Sequence, residues 1–585
     1  MLRRPRTKLR AALGRLHAPS RFRIFVRRNE IAYTLIAAAV GAVAASSVVA
    51  MQEALHLLSH LVFGQPGAIS ATQGLAPLRA FAGPAAGGIV LGLSWFVGRR
   101  WFRHIADPIE ANAVRGGRIG LPGSLFITGQ TIASSGFGAS VGMEAAYTQA
   151  SGAIASLLGQ ALRLRREDLR QLVAAGAGGA IAAAFDAPLT GAFYAFELVL
   201  ATYSVSALLP ILAASITATS VARALVGPHG ENLHYAGDIP VHSYLPILVL
   251  SVVAAGIGIA LMRSVTLIEQ AFRKSPLPPW LQPMLGGALV GAMAIASPRI
   301  LSSGHGAMGV VLSKDLALPM LAMIFVLKCA ASAISIGSGF RGGLFFASLL
   351  LGALLGKIFG ILWMLGPGLD LPIVVLAVIG MSAFATTVIG APLAVSFLAL
   401  ETTMSLPLAL AVLFSALIAT AITRNFFGYS FSTWRFHLRG ETIRSAADVG
   451  WIRDLSVGKM MRRSTSEIPD TMRISEARRR FPLGATKAFP LSDTECRYSG
   501  ICLTAELHSD ELEDTEPVSS IARFRNAWLT PELNVREAIS AFARHEADSL
   551  AVLGPGDSVL GVLNEQYCLR RYAEETNKRL YPSRS

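Results

Sequence analysis

Acidic residues are scarce over most of this chain. Only fourteen Asp or Glu fall between Ile31 and Gly440, whereas twenty-two lie from Glu441 to the C-terminus. A water-exposed surface of that extent needs many more carboxylates, so the first stretch is not a soluble domain. Charged residues as a whole are sparse, 15% against 52% apolar. That balance excludes an intrinsically disordered chain, which is rich in charge and poor in apolar residues. Cysteine is rarer still: Cys329, Cys496, Cys502 and Cys568 are the four, with no CxxC spacing. A disulfide framework and a CxxC redox pair are excluded, and a reducing compartment is expected for the C-terminal part.

What fills the space left by charge is a series of apolar runs, from 31–52 to 405–424, punctuated by Gly136, Gly138, Gly142, Pro188, Gly337, Gly339, Gly342, Gly343 and Pro392. Several are too short to cross a bilayer core of roughly 30 Å. Helices that stop at mid-membrane suit a protein that binds ions there. The expected fold is therefore an all-α polytopic membrane domain with broken helices, followed by a small water-soluble domain. The formal net charge of +15 admits nucleic acid as a partner, yet the first 28 residues alone hold ten Arg or Lys and no acid. A basic flank before a first span is the positive-inside signal, so the N-terminus is expected in the cytoplasm and no nucleic acid is expected. The run Ile31–Ala50 is too long for a signal peptide and reads as an uncleaved first helix.

One carboxylate stands out. Gly138–Gln149 carries Glu144 inside an apolar region, flanked by Gly142 and two alanines, at the start of a run to Leu158 that reads as a helix. Unpaired N–H groups at a helix start favour an anion. An acid placed there occupies the anion's own position while ionised and leaves it when protonated. Intramembrane acids are rare and functional by default.

The chain also repeats. Ala187-Pro-Leu precedes Glu197 at the same spacing as Ala391-Pro-Leu precedes Glu401, and Gly142-Met-Glu-Ala-Ala falls opposite Gly343-Leu-Phe-Phe-Ala. Two copies, near 31–228 and 243–430, would aim two helix starts at one site, with Glu144 and Phe345 in equivalent places. Gly337-Ser-Gly-Phe-Arg-Gly342 matches GxGxxG literally, but a near-spanning apolar run precedes it, interrupted only by Lys328, rather than a strand. A dinucleotide is excluded, while the anion cradle of a glycine-rich turn remains. Gly352–Lys357 has the wrong spacing for a phosphate-binding loop and reads as a helix-packing face. His56 and His60 with Glu53 have metal-ligand spacing and read as an interfacial surface; no metal and no cofactor is expected.

In order, Gly142-Met-Glu-Ala-Ala with Gln149, Ala184-Phe-Asp-Ala-Pro-Leu with Glu197, Gly337–Phe345 and Ala391-Pro-Leu with Glu401 resemble the signatures of the ClC family of chloride channels and chloride/proton antiporters, over about residues 31–440. The resemblance implies two inverted repeats, a homodimer with one anion pathway per subunit, and Glu144 as the gating glutamate. It implies an anion held by backbone amides around Gly142, Met143, Ala145, Gly343, Leu344, Phe345 and Phe346. Three departures stand out. Ile105, in His104-Ile-Ala-Asp-Pro108, takes the place of the family's anion-binding serine. Ser432 takes the place of an anion-binding tyrosine, with Tyr429 close by. Leu198 takes the place of the internal acid that many antiporters carry.

Beyond the membrane part, Leu455-Ser-Val-Gly-Lys-Met-Met461 opens a region that resembles a tandem pair of CBS modules, 455–510 and 517–576, an α/β unit. The resemblance puts Glu506 and Tyr567 where a ribose-binding Asp is expected, so the pair reads either as a site that binds an adenine nucleotide weakly or as a dimerising scaffold without ligand. The organisation expected is a basic segment 1–30, a membrane domain 31–440, a linker 441–454, the CBS pair 455–576 and a tail 577–585, with both termini cytoplasmic in a multi-pass protein of the cell membrane. The function expected is transport of chloride or a similar small anion, passive or weakly proton-coupled, and not an enzymatic activity. The competing readings are a chloride/proton antiporter, a broken-helix nutrient symporter, and a sensor whose membrane part is only an anchor.

Overall fold

The computed structural model describes residues 29–65, 67–72, 74–102, 105–229, 235–366, 371–428, 455–463, 468–484, 486–509 and 512–580, with single positions 26, 233, 368, 430, 431 and 434. The chain divides into two compact units, Met1–Ala447 and Asp448–Ser585. Ser432 and Tyr429, the basic arm before Val26, the segment 441–454 and the last five residues lie outside the described residues.

The first unit is helical. Its elements are α1 (Glu30–Phe63), α2 (Pro77–Trp101), α3 (Pro108–Val114), α4 (Leu121–Gly136), α5 (Glu144–Ala161), α6 (Arg166–Phe185), α7 (Pro188–Tyr194, extended to Leu200 in a wider turn) and α8 (Val205–Val226). The second half repeats them as α9 (Tyr244–Lys274), α10 (Gln282–Ala296), α11 (His305–Ser313), α12 (Leu318–Gly337), α13 (Phe345–Met364), α14 (Ile373–Ile389), α15 (Pro392–Thr403) and α16 (Leu406–Phe426). Among the described residues, seven helices are long and apolar enough to cross a membrane. Others, such as α7 and α15, are not, and they start and stop within the fold.

Local chemistry sets these boundaries. The Asn29 side chain accepts from the Ile31 and Ala32 amides and so starts α1, and Gly64 ends it with φ 67°. Pro188 and Pro392 each open a short helix, where the missing N–H costs nothing. Left-handed Ala201 and Met404 close these two helices. The first of them carries one more residue between its glutamate and its stop, which the wide turn Ala195–Leu200 absorbs. Small residues allow backbone-to-backbone contact between helices. A Cβ on Gly352 would collide with the Gly380 carbonyl oxygen and one on Gly356 with that of Leu376, so α13 lies directly on α14.

The second unit is α/β. Its elements are α17 (Val457–Met460), β1 (Arg462–Arg463), α18 (Ile474–Arg480), β2 (Ala488–Ser492), β3 (Tyr498–Leu503), α19 (Thr504–Leu507), β4 (Trp528–Leu529), α20 (Val535–His545), β5 (Ser549–Leu553), β6 (Val559–Asn564) and α21 (Glu565–Leu580). One sheet runs β1-β6-β5-β4, and β2 pairs with β3 separately. Two opening segments exchange cores within this unit. Leu455, Val457 and Met460 pack with Leu529, Val535 and Phe542, so the opening of the first module completes the core of the second. Val518, from the segment between α19 and β4, packs with Ile468, Ile474 and Phe489 of the other core. Each opening segment is held by backbone bonds in its adopted core, Val457 N–H to Leu533 O and Val518 N–H to Met472 O, both at 2.8 Å.

Candidate anion gate

Helices α5 and α13 begin side by side because the turns before them pair. The Gly142 N–H donates to the Gly343 carbonyl at 2.8 Å, and the Gly343 N–H donates to the Gly142 carbonyl at 3.1 Å. This bridge corrects one expectation: the amides of Gly142 and Gly343 are spent on each other and do not face an anion. What remains for a ligand is the first-turn amides, which have no acceptor within their own helices, among them those of Met143, Ala145, Leu344, Phe345 and Phe346.

Glu144 lies across this cradle. It is 3% exposed, and its Oε1 accepts from the Phe346 N–H at 3.2 Å, a first-turn amide of the opposite repeat. Its Oε2 is buried without a hydrogen-bond partner among the described residues. A Cβ on Gly142 would collide with that oxygen, whereas one on Gly343 would stand 3.6 Å from it, an ordinary contact. Glycine at 142 is therefore what lets the carboxylate lie here. The acid rests on an amide that a free anion would otherwise use.

Aromatic rings wall the cradle. Phe185 packs against Phe345 at 5.0 Å and Phe346 at 6.1 Å, Tyr194 stands 6.0 Å from Phe345, and His305 stacks on Phe346 at 3.5 Å with an 18° tilt. In the turn before α3, Ile105 is half-buried and packs towards Gly123, where a Cβ would meet its Cγ1 at 3.0 Å. The turn is tied to the gate helix by Gln149, whose Nε2 donates to the Ala106 carbonyl at 3.0 Å and to Ser124 Oγ at 2.8 Å. His104 and the Ser432 position lie outside the described residues.

The repeated glutamates do something else. Glu197 accepts from the Leu393 and Ala394 amides at 3.0 and 2.9 Å, and from the Tyr203 hydroxyl at 3.2 Å. Glu401 accepts from the Leu189 and Thr190 amides at 2.8 and 2.9 Å, and from Thr190 Oγ1 at 2.7 Å. Each acid thus caps the proline-started helix of the other repeat. Leu198, next to Glu197, is buried in the wide turn of α7. Lys328, noticed in the sequence only as an interruption, is fully buried in α12. His56, His60 and Glu53 form no group of three metal-ligand side chains, and neither does any other set among the described residues.

In the second unit Glu506 is held by Arg523 at 2.7 Å, so a ribose hydroxyl would compete with a guanidinium for it. Tyr567 is exposed with the Arg570 guanidinium 5.4 Å above its ring. Burial pushes the Cys502 thiol up to about 12, with the nearby Glu506 charge adding to it, and the Cys568 thiol up to about 11.

Residues 95–424, more than half of the chain, match the family described as voltage gated chloride channel. The chain belongs to the ClC family. A ClcB-like chloride channel protein of Ralstonia nicotianae is 32% identical over 395 residues, covering 64% of this chain and 91% of that one. The voltage-gated ClC-type chloride channel ClcB of Salmonella typhimurium is 27% identical over 403 residues, covering 67% and 95%. Among solved structures, a slow cyanobacterial Cl−/H+ antiporter superposes with a TM-score of 0.59 at 22% identity, covering 71% of this chain and 98% of that one. A eukaryotic CLC transporter superposes with a TM-score of 0.59 at 18% identity, covering 91% and 97%. These likenesses establish the fold of the ClC chain as a multi-pass helical membrane protein with a small α/β part after it. Glu144, Phe346 and the paired glycine turns lie inside the matched span.

Proposed function

We propose that this ClC chain moves chloride through the cradle between α5 and α13, and that Glu144 is its gate. The single observation that carries the reading is the Glu144 carboxylate lying on the Phe346 amide, at the meeting of two helix starts. An ionised carboxylate there excludes a halide from the amides of Met143, Ala145, Leu344, Phe345 and Phe346; a protonated one has no such hold and gives way. Helix N-termini supply the positive end that a halide needs without a fixed counter-ion. The transport is passive or weakly coupled to protons. Support comes from Leu198 and Ile105, apolar where an antiporter would place a proton stop and a hydroxyl ligand, and from Glu197, whose carboxylate is consumed by structural bonds. A proton crossing this region has no acid to rest on near Leu198, and an unpaired charge there is costly.

Around this pathway we place a homodimer, as the family resemblance implies, in the cell membrane with both termini in the cytoplasm; the basic first 28 residues support the side of the N-terminus. The α/β unit reads as a tandem CBS pair that binds adenine nucleotide weakly, since Glu506 is already paired with Arg523.

The test is halide efflux from proteoliposomes holding the full-length protein. Chloride efflux in the wild type with a pH-insensitive, faster flux in Glu144→Gln supports the gate; an unaltered pH profile in that variant removes it. Coupled exchange is decided in the same vesicles. With voltage clamped and a chloride gradient imposed, little or no uphill proton movement is expected. Sustained proton pumping that vanishes in Glu144→Ala would make this an antiporter.

A further inference from the structure

A lysine in the interior of a membrane helix is expensive unless something offsets its charge. Lys328 lies midway along α12 and is 0% exposed. Among the described residues no carboxylate comes within 4 Å of its ammonium. Its Nζ donates to the Ile300 carbonyl at 3.0 Å and to the Ser302 carbonyl at 2.7 Å. These are neutral acceptors and use two of three donors; the third finds none among the described residues. The carbonyls belong to the turn between α10 and α11, and that turn leans on the gate. The Ser302 hydroxyl donates to the Ser135 carbonyl at 2.7 Å, in the last turn of α4, and the Ser302 N–H to the Gly138 carbonyl at 3.3 Å, in the turn that leads into Glu144. Three residues on, His305 stacks on the ring of Phe346. The ammonium is thus one layer behind the amide cradle.

We infer that Lys328 sets the affinity of the pathway for chloride, its side-chain nitrogen standing one layer behind the cradle. While Glu144 is in place its carboxylate partly offsets the charge on that nitrogen. When Glu144 leaves, the offset leaves with it, and a halide entering the cradle restores it. Behind a buried site the charge is screened far less than it would be in water, so its removal is felt over several ångströms. The rival role is purely positional, with the ammonium serving only to fasten the turn 300–302.

The two roles part in a saturation measurement on the full-length protein in proteoliposomes, with chloride flux followed against chloride concentration. This inference rests on the chloride reading above. Failure of that reading shows as no flux in the wild type, and failure of this one as an active variant with unchanged affinity. Lys328→Met removes charge and donors together and risks the fold. Lys328→Gln keeps two N–H donors on a side chain one atom shorter and removes the charge. The half-saturating chloride concentration should rise about tenfold in Lys328→Gln, the factor a nearby unit charge supplies at a partly screened site, and stay within about twofold of wild type in Lys328→Arg. Chloride binding measured by calorimetry should weaken in parallel. A Lys328→Gln protein that keeps the wild-type half-saturation, with at most a lower maximal rate, overturns the inference and leaves the lysine a fastener.

Discussion

The two repeats of the membrane unit share a plan and differ at three places. Both open a short helix with Pro and close it with a left-handed residue, and both use a glutamate at the same spacing to cap the other repeat's helix. Acids that recur in both halves are fasteners, since symmetry gives each a matched set of amides. Glu144 has no counterpart, because Phe345 stands at its equivalent position, and among the described residues it alone is a carboxylate that reaches an amide of the other repeat while leaving an oxygen unpaired. The wide turn of α7 and the lysine of α12 are likewise present in one half only. What is duplicated fastens one repeat to the other, and what breaks the duplication includes Glu144 and Lys328, the two residues on which the proposed pathway rests.

The sharpest way to break this comparison is at the bridged glycines. Gly142→Ala drives a methyl into Glu144 Oε2, whereas Gly343→Ala makes an ordinary contact at 3.6 Å. The first should displace the carboxylate and abolish most of the pH dependence of chloride flux, and the second should leave the profile within about twofold of wild type. Equal effects at the two positions would contradict the asymmetry.

A smaller effect tests the fasteners. Glu197→Gln and Glu401→Gln each replace a carboxylate that accepts at least two amide bonds by an amide with one acceptor oxygen. Each should cost about 2 kcal/mol, the loss of charge-assisted bonds, read as a lowered melting temperature in detergent. The two losses should match each other, and the pH dependence of flux should stay as in the wild type. A variant that keeps its stability and loses its pH response would move that glutamate from the frame into the pathway.

The smallest effect separates the two units. Cys502 and Cys568 are buried in the α/β cores, and their raised thiols stay protonated at neutral pH. In the native protein both should resist a thiol reagent at pH 8, while Cys496, exposed in the turn before β3, reacts first. The sign follows from the upward shift: a thiol held protonated by folding contributes stability up to its unfolded value near 8.5 and loses it as pH rises towards 11 and 12, so unfolding should ease above about pH 9. Rapid labelling of Cys502 at pH 8 would mean that the β2–β3 module opens readily.

Glu144 was legible in the sequence because an acid in an apolar run has few other reasons to be there, and the repeated Pro and Glu positions were legible because a duplication preserves spacing. Lys328 carried the same signal, a charge in an apolar run, yet without its neighbours it was indistinguishable from a residue that snorkels to an interface. The pairing of Gly142 with Gly343 was not legible, since no local pattern shows that two amides some two hundred residues apart face each other. Nor was the exchange of opening segments in the α/β unit, because apolar residues such as Val457 and Val518 fit either core by composition. Periodicity, turn residues and composition act over one helix or one turn, and they determined the membrane class, the broken helices and the acid at a helix start. Which amides are spent and which stay open, which glutamates are consumed by bonds, and what surrounds a buried ammonium depend on contacts between distant segments, and only the packed fold decides those.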